Sequence, residues 1–426
     1  MYLKLLALIA CLLISCACAQ DNRSLYTGLI GVVLNQNSTE LSSLPRLDIS
    51  LQKLIDDAQD GSSIRIPLGS YSLSEPLHVN KNMTLVGSPF AYIDAQGASQ
   101  ILQVDNPKAS VTMENFLLMH GQGDYGGAIT SQAKSLTIKD CRFLDSFANY
   151  GAAIYQKGGG LRIEDSTFEG NNATIWGAAI YDNGGDVLVE SSKFTQNPGS
   201  YVICVNGTQP MQAQVLIRDC NVSSNPGPYN GLTAGSGGAI VCENSTMIVD
   251  HCTIKGNKAL VMTPTILCGG NAGLFFSSSD VVLNDTLIEG NEALYVPAIY
   301  VGPDTKVEIN RCDIKRNHAL RVLCKGMYIG GEDAGIAITP GSKVTMNDVT
   351  IEGNIADGNS SAIANSGILN LNDGTTITKN TAQRYSAIEN SMLGVVNIHD
   401  GVHVFNNHDE QQPGESVHSE GILNME

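Results

Sequence analysis

The sequence predicts an all-β protein: a single parallel β-helix of about thirteen turns, with one amphipathic helix over its first turn. Three observations carry that expectation. A unit of about 25 residues recurs from Val111 onward. Inside the unit, apolar residues alternate with polar ones, the period-2 mark of strands with one buried face. And an asparagine returns at one fixed place in nearly every unit.

Each unit is anchored on the apolar residue of an [F/I/L/V]-x-x-N pattern. The anchors are Leu118, Phe143, Phe168, Phe194, Val222, Ile254, Ile288, Ile314, Ile351, Ile377 and Val404, at intervals of 25 to 37 residues. Seven residues before the anchor stand Val111, Leu136, Leu161 and Val187, and five before it Met113, Ile138, Ile163 and Val189, with apolar equivalents in the later units. Three after it come Asn171, Asn197, Asn225, Asn257, Asn291, Asn317, Asn354, Asn380 and Asn407, with Gly121 and Ser146 in the first two units. A unit of this size cannot bury its apolar face alone. Coiled so that each turn lies on the last, it makes every column a continuous stack at about 4.8 Å per step, and each Asn amide can bond the next.

Met1 to Gln20 has Lys4 before an apolar run, Leu5 to Ile14, then Ala17-Cys18-Ala19. That is the form of a secretory signal, residues 1–19. Leu13-Ile14-Ser15-Cys16 also has the form of a lipobox, which would lipidate Cys16 and anchor the protein. Residues 20–46 form an N-terminal segment whose Gly28 to Val33 could be a strand. Leu47, Leu51, Leu54, Ile55 and Ala58 share one helical face, so a capping helix is expected at about 47–60, ended by Asp60-Gly61-Ser62. Such a helix covers the open edge of a stacked sheet. The β-helix then occupies 47–426, its two opening turns less regular. Glu426 falls one strand into a turn, so a partner, a folded-over tail or further sequence must cover that end.

Composition narrows function. The net charge is -17 and no Lys/Arg run occurs, which argues against nucleic acid and anionic membranes. No stretch after the leader is apolar and long enough to span a bilayer. Of the eleven cysteines, Cys11, Cys16 and Cys18 lie in the leader. The others suit disulfides in an oxidising compartment. Cys268 and Cys324 occupy matching insertions and are expected to pair. Cys220 and Cys252 fall in consecutive turns and either bridge or stay as buried thiols, and Cys204 and Cys242 make the remaining pair. Glycosylation sequons stand at Asn22, Asn37, Asn82, Asn172, Asn206, Asn221, Asn244, Asn284 and Asn359.

At this point the residues carry a resemblance. Phe168-Glu-Gly-Asn171 with Gly177-Ala-Ala-Ile180, and Gly126-Gly-Ala-Ile129 and Gly237-Gly-Ala-Ile240, resemble the repeat motifs of chlamydial polymorphic outer membrane proteins. The opening segment is similar to the entry turns of right-handed parallel β-helices of the pectin-lyase-like superfamily. The resemblance implies a right-handed solenoid and a secreted or surface-displayed adhesive or structural protein. It lacks the membrane barrel of the bacterial family.

Enzymes of that fold work with clustered carboxylates, Ca²⁺ and a basic residue. The one candidate column lies three before the anchor: Asn115, Asp140, Asp165, Ser191, Asp219, His251, Asp285, Arg311 and Asp348. Asp140 and Asp165 could hold Ca²⁺. The plainer account is that Asp and Asn shape a bend between strands. No other cofactor is expected. His120 stands without acidic motifs beside it in sequence. His399, His403 and His408 are a metal site or plain surface, and Trp176 packs a turn. Insertions at Pro226–Ser236, Val261–Gly273 and Arg321–Gly335 lengthen one corner, where Tyr229, Asn230, Tyr328, Glu332 and Asp333 offer groups suited to sugars. The expected function is a secreted, non-catalytic, structural or adhesive role, with extracellular glycans or cell-surface or matrix proteins as partners. A polysaccharide lyase or glycosidase on the same scaffold is the alternative.

Overall fold

The computed structural model describes residues 50–207, 213–227, 237–259, 273–324, 327–411 and 417–425. The chain divides into two units, Met1–Arg46 and Leu47–Glu426, and the fold described is that of the second. Its helix α1 is Leu51–Asp57. Ser50 is extended and its Oγ accepts from Lys53 N at 3.2 Å, so the helix starts after this cap and is shorter than the expected 47–60. Leu51 and Ile55 are buried against the first turn. At the other end Lys81 Nζ donates to the carbonyls of Asp56 at 3.0 Å and Ala58 at 2.6 Å, satisfying groups the helix leaves open.

The turn at Leu161 shows how one unit is built. Strand Gly160–Glu164 buries Leu161 and Ile163 and turns Arg162 outward. Asp165, at φ 49°, bends the chain into Thr167–Glu169, which buries Phe168. Gly170, at φ 70°, bends it again to Asn171 and the strand Asn172–Trp176. Gly177-Ala178-Ala179 then leads into Ile180–Asn183. Only small residues fit there: a Cβ on Gly177 would lie 2.4 Å from the Ile180 carbonyl. The following turn repeats this in parallel register, Leu161 beside Val187 and Phe168 beside Phe194. The strands that begin at Ile180 and its equivalents stack into a 13-stranded sheet, while the two faces before them share a 24-stranded one.

The predicted columns are real contacts. Val111, Leu136, Leu161 and Val187 lie side by side, as do Val344, Leu369 and Val396 beyond the turn insertion. Phe143, Phe168 and Phe194 stack with ring centroids 4.7 Å apart, the spacing of the strands themselves. The asparagine column is a hydrogen-bonded ladder. Asn317 Oδ1 accepts from both Asn291 N and Asn291 Nδ2 at 3.0 Å, and Asn317 Nδ2 donates to Asn354 Oδ1 at 3.0 Å and to Ile288 O at 3.1 Å. The pattern runs from Asn171 through Asn197, Asn225, Asn257, Asn291, Asn317, Asn354 and Asn380 to Asn407. A bend inside a packed core would otherwise strand its amides, and one side chain per turn satisfies them.

Among the described residues, two of the buried polar side chains left without a full set of partners sit in adjacent turns. Gln156 and Asp182 are fully buried neighbours in register. Asp182 Oδ1 accepts from Gly185 N at 2.8 Å, yet Asp182 Oδ2 and Gln156 Oε1 have no donor. Burial pushes the Asp182 carboxyl up to about 8; the Gly185 amide opposes this and Asp186 adds to it.

The cysteines Cys141, Cys204, Cys220, Cys242, Cys252 and Cys312 are buried thiols. Cys220 and Cys252 precede strands that pair in register and stay unbonded, the Cys220 thiol pushed up by its hydrogen bond to Cys252 and by burial. Cys204 and Cys242 do not form the expected bridge. Cys204 belongs to a cluster with Tyr155 and Tyr181, whereas Cys242 lies in the main core, on the other face of the same sheet. Cys268 lies outside the described residues.

Candidate functional site

The residues three before each anchor all bend the chain through a left-handed conformation: Asn115, Asp140, Asp165, Ser191, Asp219, His251, Asp285, Arg311 and Asp348, then Gly374 and Gly401. Asn, Asp and Gly reach that region at least cost, which accounts for the column without a metal. A second left-handed column lies two after the anchor and includes His120, Asp145, Gly170 and Gln196. Its side chains stand outside the core.

In the early turns that second corner forms a groove. His120 Nδ1 lies 2.9 Å from Asp94 Oδ1, one turn below, and Asp145 occupies the equivalent place one turn above. Asp94 also accepts from Gln96 N at 2.8 Å and from the Tyr92 hydroxyl at 3.4 Å. The Tyr92 phenol is pushed up to about 12, first by burial and then by the Asp94 charge. Burial raises the Asp145 carboxyl, His120 lowers it and Glu169 raises it. Its side chain is exposed.

Two adjoining depressions meet there. One, of about 450 Å³, is lined by Asp94, Gln96, Gly97, His120, Gly121, Gln122, Asp145 and Phe147. The other, of about 460 Å³, is lined by Pro76, Ser99, Gln100, Gln103, Gln122, Gly123, Asp124, Tyr125 and Thr130. Gln122 is common to both. Gln100 Nε2 donates to Gly126 O at 3.0 Å and Thr130 Oγ1 at 2.6 Å, and Gln103 Nε2 donates to Gln100 Oε1, so these amides are fixed in place. Tyr125 and Phe147 are 48% and 40% exposed, which leaves flat apolar rings beside the amides. Sequence reasoning missed this site. Ile93 stands 25 residues before Leu118, but that register sets Asp94 beside Met119, and the contact with His120 comes from the bend that follows.

The other predicted positions divide as follows. Tyr229 and Asn230 lie outside the described residues. Arg321–Cys324 and Met327–Gly330 make an antiparallel hairpin. On it Tyr328 is exposed, with the Arg321 guanidinium 4.8 Å from its ring centroid. Glu332 is exposed, and the half-buried Asp333 is pushed up to about 8 by burial, then by Glu389 and Glu332. Among the described residues, Asp250, His251 and Asp285 could share a metal ion. Arg311 already grips Asp285 through Nε at 2.9 Å and Nη2 at 2.7 Å and holds its carboxyl low, so the charge there is met. His403 and His408 are exposed. Trp176 packs on Tyr181, as expected.

Of the sequons, Asn22 and Asn37 lie outside the described residues. Asn221 and Asn359 are exposed and Asn172 half-buried. Asn82 donates to Asp60 at 3.1 Å, Asn244 donates to Asn206 at 3.4 Å, and Asn284 accepts from Asn310 at 3.0 Å.

Among the described residues no helix is long and apolar enough to cross a membrane. No curated protein matches the sequence. Among solved structures the chain is similar to a PL6 alginate lyase in complex with a trisaccharide, at 9% identity, TM-score 0.40, and coverage of 91% of this chain and 94% of that one. It is similar to a second alginate lyase, in complex with G6, at 11%, 0.39, 91% and 94%. A third is the A-module of a mannuronan C-5 epimerase from Azotobacter vinelandii, at 13%, 0.29, 91% and 96%. At these scores none of the three carries chemistry across. The family model for the right handed beta helix region matches residues 100–263 and 152–411, well over half the chain, and the protein belongs to that family.

Proposed function

We propose that the protein is a secreted β-helix with a structural or adhesive role outside the cell, and that it holds glycan chains in the groove across its early turns. The observation that carries this is the pairing of exposed rings with a row of glutamine amides. Sugars offer flat C–H faces and belts of hydroxyls; aromatic rings cover the first and glutamine amides and carboxylates bond the second. Tyr125 and Phe147 supply the rings, and Gln96, Gln100, Gln103 and Gln122 the amides. Secretion rests on the leader. Calorimetry against a panel of soluble polysaccharides tests the groove. The double substitution Tyr125→Ala, Gln122→Ala should weaken binding about tenfold, since it removes roughly 1.4 kcal/mol or more of contact. Binding unchanged in that variant would sink the assignment.

One observation favours catalysis as a second reading. His120 stands between Asp94 and Asp145, and an imidazole held by a carboxylate suits general acid–base work. Incubation with polysaccharides, with and without Ca²⁺, would then release unsaturated or reducing ends, and His120→Ala would stop it.

A further inference from the structure

The charges in the groove say which sugars it can hold. Its carboxylates are those of Asp94, Asp124 and Asp145, its imidazole that of His120, and no Lys or Arg lines either depression. His120 is already matched by Asp94 at 2.9 Å. Among the described residues the Asp124 carboxylate accepts from a neutral donor, Asn149 Nδ2 at 3.3 Å. Asp145 has Glu169 as well as His120 nearby, and its Oδ1 rests against Gly170, 2.1 Å from where a Cβ would sit. The groove therefore presents carboxylates in excess of cations.

We infer that the glycan taken by this groove carries free amino groups, and that acidic polysaccharides are turned away. The inference rests on the glycan-binding reading above and refines it. A uronic acid would bring a carboxylate against Asp124 or Asp145 with no basic side chain between them, and like charges in a cleft are a strong discriminator. A protonated amine has three donors and one positive charge, and it would pair with those same groups. The rings of Tyr125 and Phe147 accept the face of either sugar, so they set affinity while the carboxylates set choice. The net charge of -17 acts in the same direction at longer range, drawing polycations and repelling polyanions.

The test uses the full chain and three oligosaccharides of equal length: a glucosamine hexamer, its fully N-acetylated form, and a hexamer of uronic acid. Calorimetry at slightly acid pH, in low and high salt, reads the order. The glucosamine hexamer should bind at least tenfold tighter than the acetylated one, with affinity falling as salt rises, and the uronic acid hexamer should not bind. The double substitution Asp124→Asn, Asp145→Asn keeps size and suits the left-handed bend at 145. It should cost the glucosamine hexamer at least tenfold and the acetylated hexamer far less, so that the preference between them shrinks. Equal binding of the acetylated or the uronic acid hexamer would overturn the choice of ligand while leaving a glycan groove. Unchanged glucosamine binding in the double variant would also overturn it, since attraction would then come from the surface at large. Failure of all three to bind would remove the glycan groove itself.

Discussion

Asp182 offers a sharp test of the core. The native chain holds a proton on this buried carboxyl up to about pH 8, whereas an unfolded chain releases it near 3.8. Between those values the folded state binds more protons than the unfolded one, so stability falls as pH rises, and the loss levels off above about 8. Each pH unit is worth about 1.4 kcal/mol, so at pH 7 the penalty is on the order of 4 kcal/mol. Asp182→Asn keeps an oxygen for Gly185 N and has nothing to titrate. Urea denaturation of wild type and variant at pH 4 and pH 7.5 checks this. The variant should match wild type in acid and exceed it by up to about 4 kcal/mol near neutrality. A difference independent of pH would refute the buried proton.

Other outcomes follow from the same geometry. Asn317→Ala strips the acceptor from Asn291 N and the donor from Ile288 O; at about 1–3 kcal/mol for each buried group left unmade, the loss should be roughly 2 to 6 kcal/mol in chemical denaturation. Gly177→Ala should fail to fold or unfold far below wild type, because φ is 72° and the new Cβ meets the Ile180 carbonyl at 2.4 Å. Gly290→Ala, at φ 60° with nothing within 4 Å, should cost only about 1 kcal/mol by the same measurement. Burial pushes the thiols of Cys141 and Cys242 up to about 12, so iodoacetamide at pH 8 should leave both unmodified in the native protein and label them once it is unfolded.

Most of the scaffold could be read from single residues. Phe168 and Asn171 have one place each in the unit, and their stacking follows from a repeat that cannot bury itself alone. The bends were harder. Asp165 was recognisable as a turn residue, but the second left-handed column mixes His120, Gln196, Lys379 and glycines, and no residue type marks it. The groove was hidden for a related reason. Asp94 ends the long strand Met83–Asp94, in a turn that has an irregular register and no Asn, so nothing in the linear order joins it to His120. The Cys204–Cys242 expectation failed on pleat: residues one step out of register in neighbouring strands point to opposite faces, and spacing by turns alone does not show that.

The asparagine ladder has a mechanical consequence. Its bonds, like those of the sheets, run along the solenoid axis, so a pull along that axis loads the turns in series and every bond within a turn in parallel. A chain of this kind yields at its poorest rung. From Asn171 to Asn407 each turn adds a side-chain link to its backbone bonds, whereas at Gly121 and Ser146 the links thin to a single hydroxyl contact of 3.3 Å. Under tension the later turns should hold as one block and the early ones open first, and those early turns are where the groove lies.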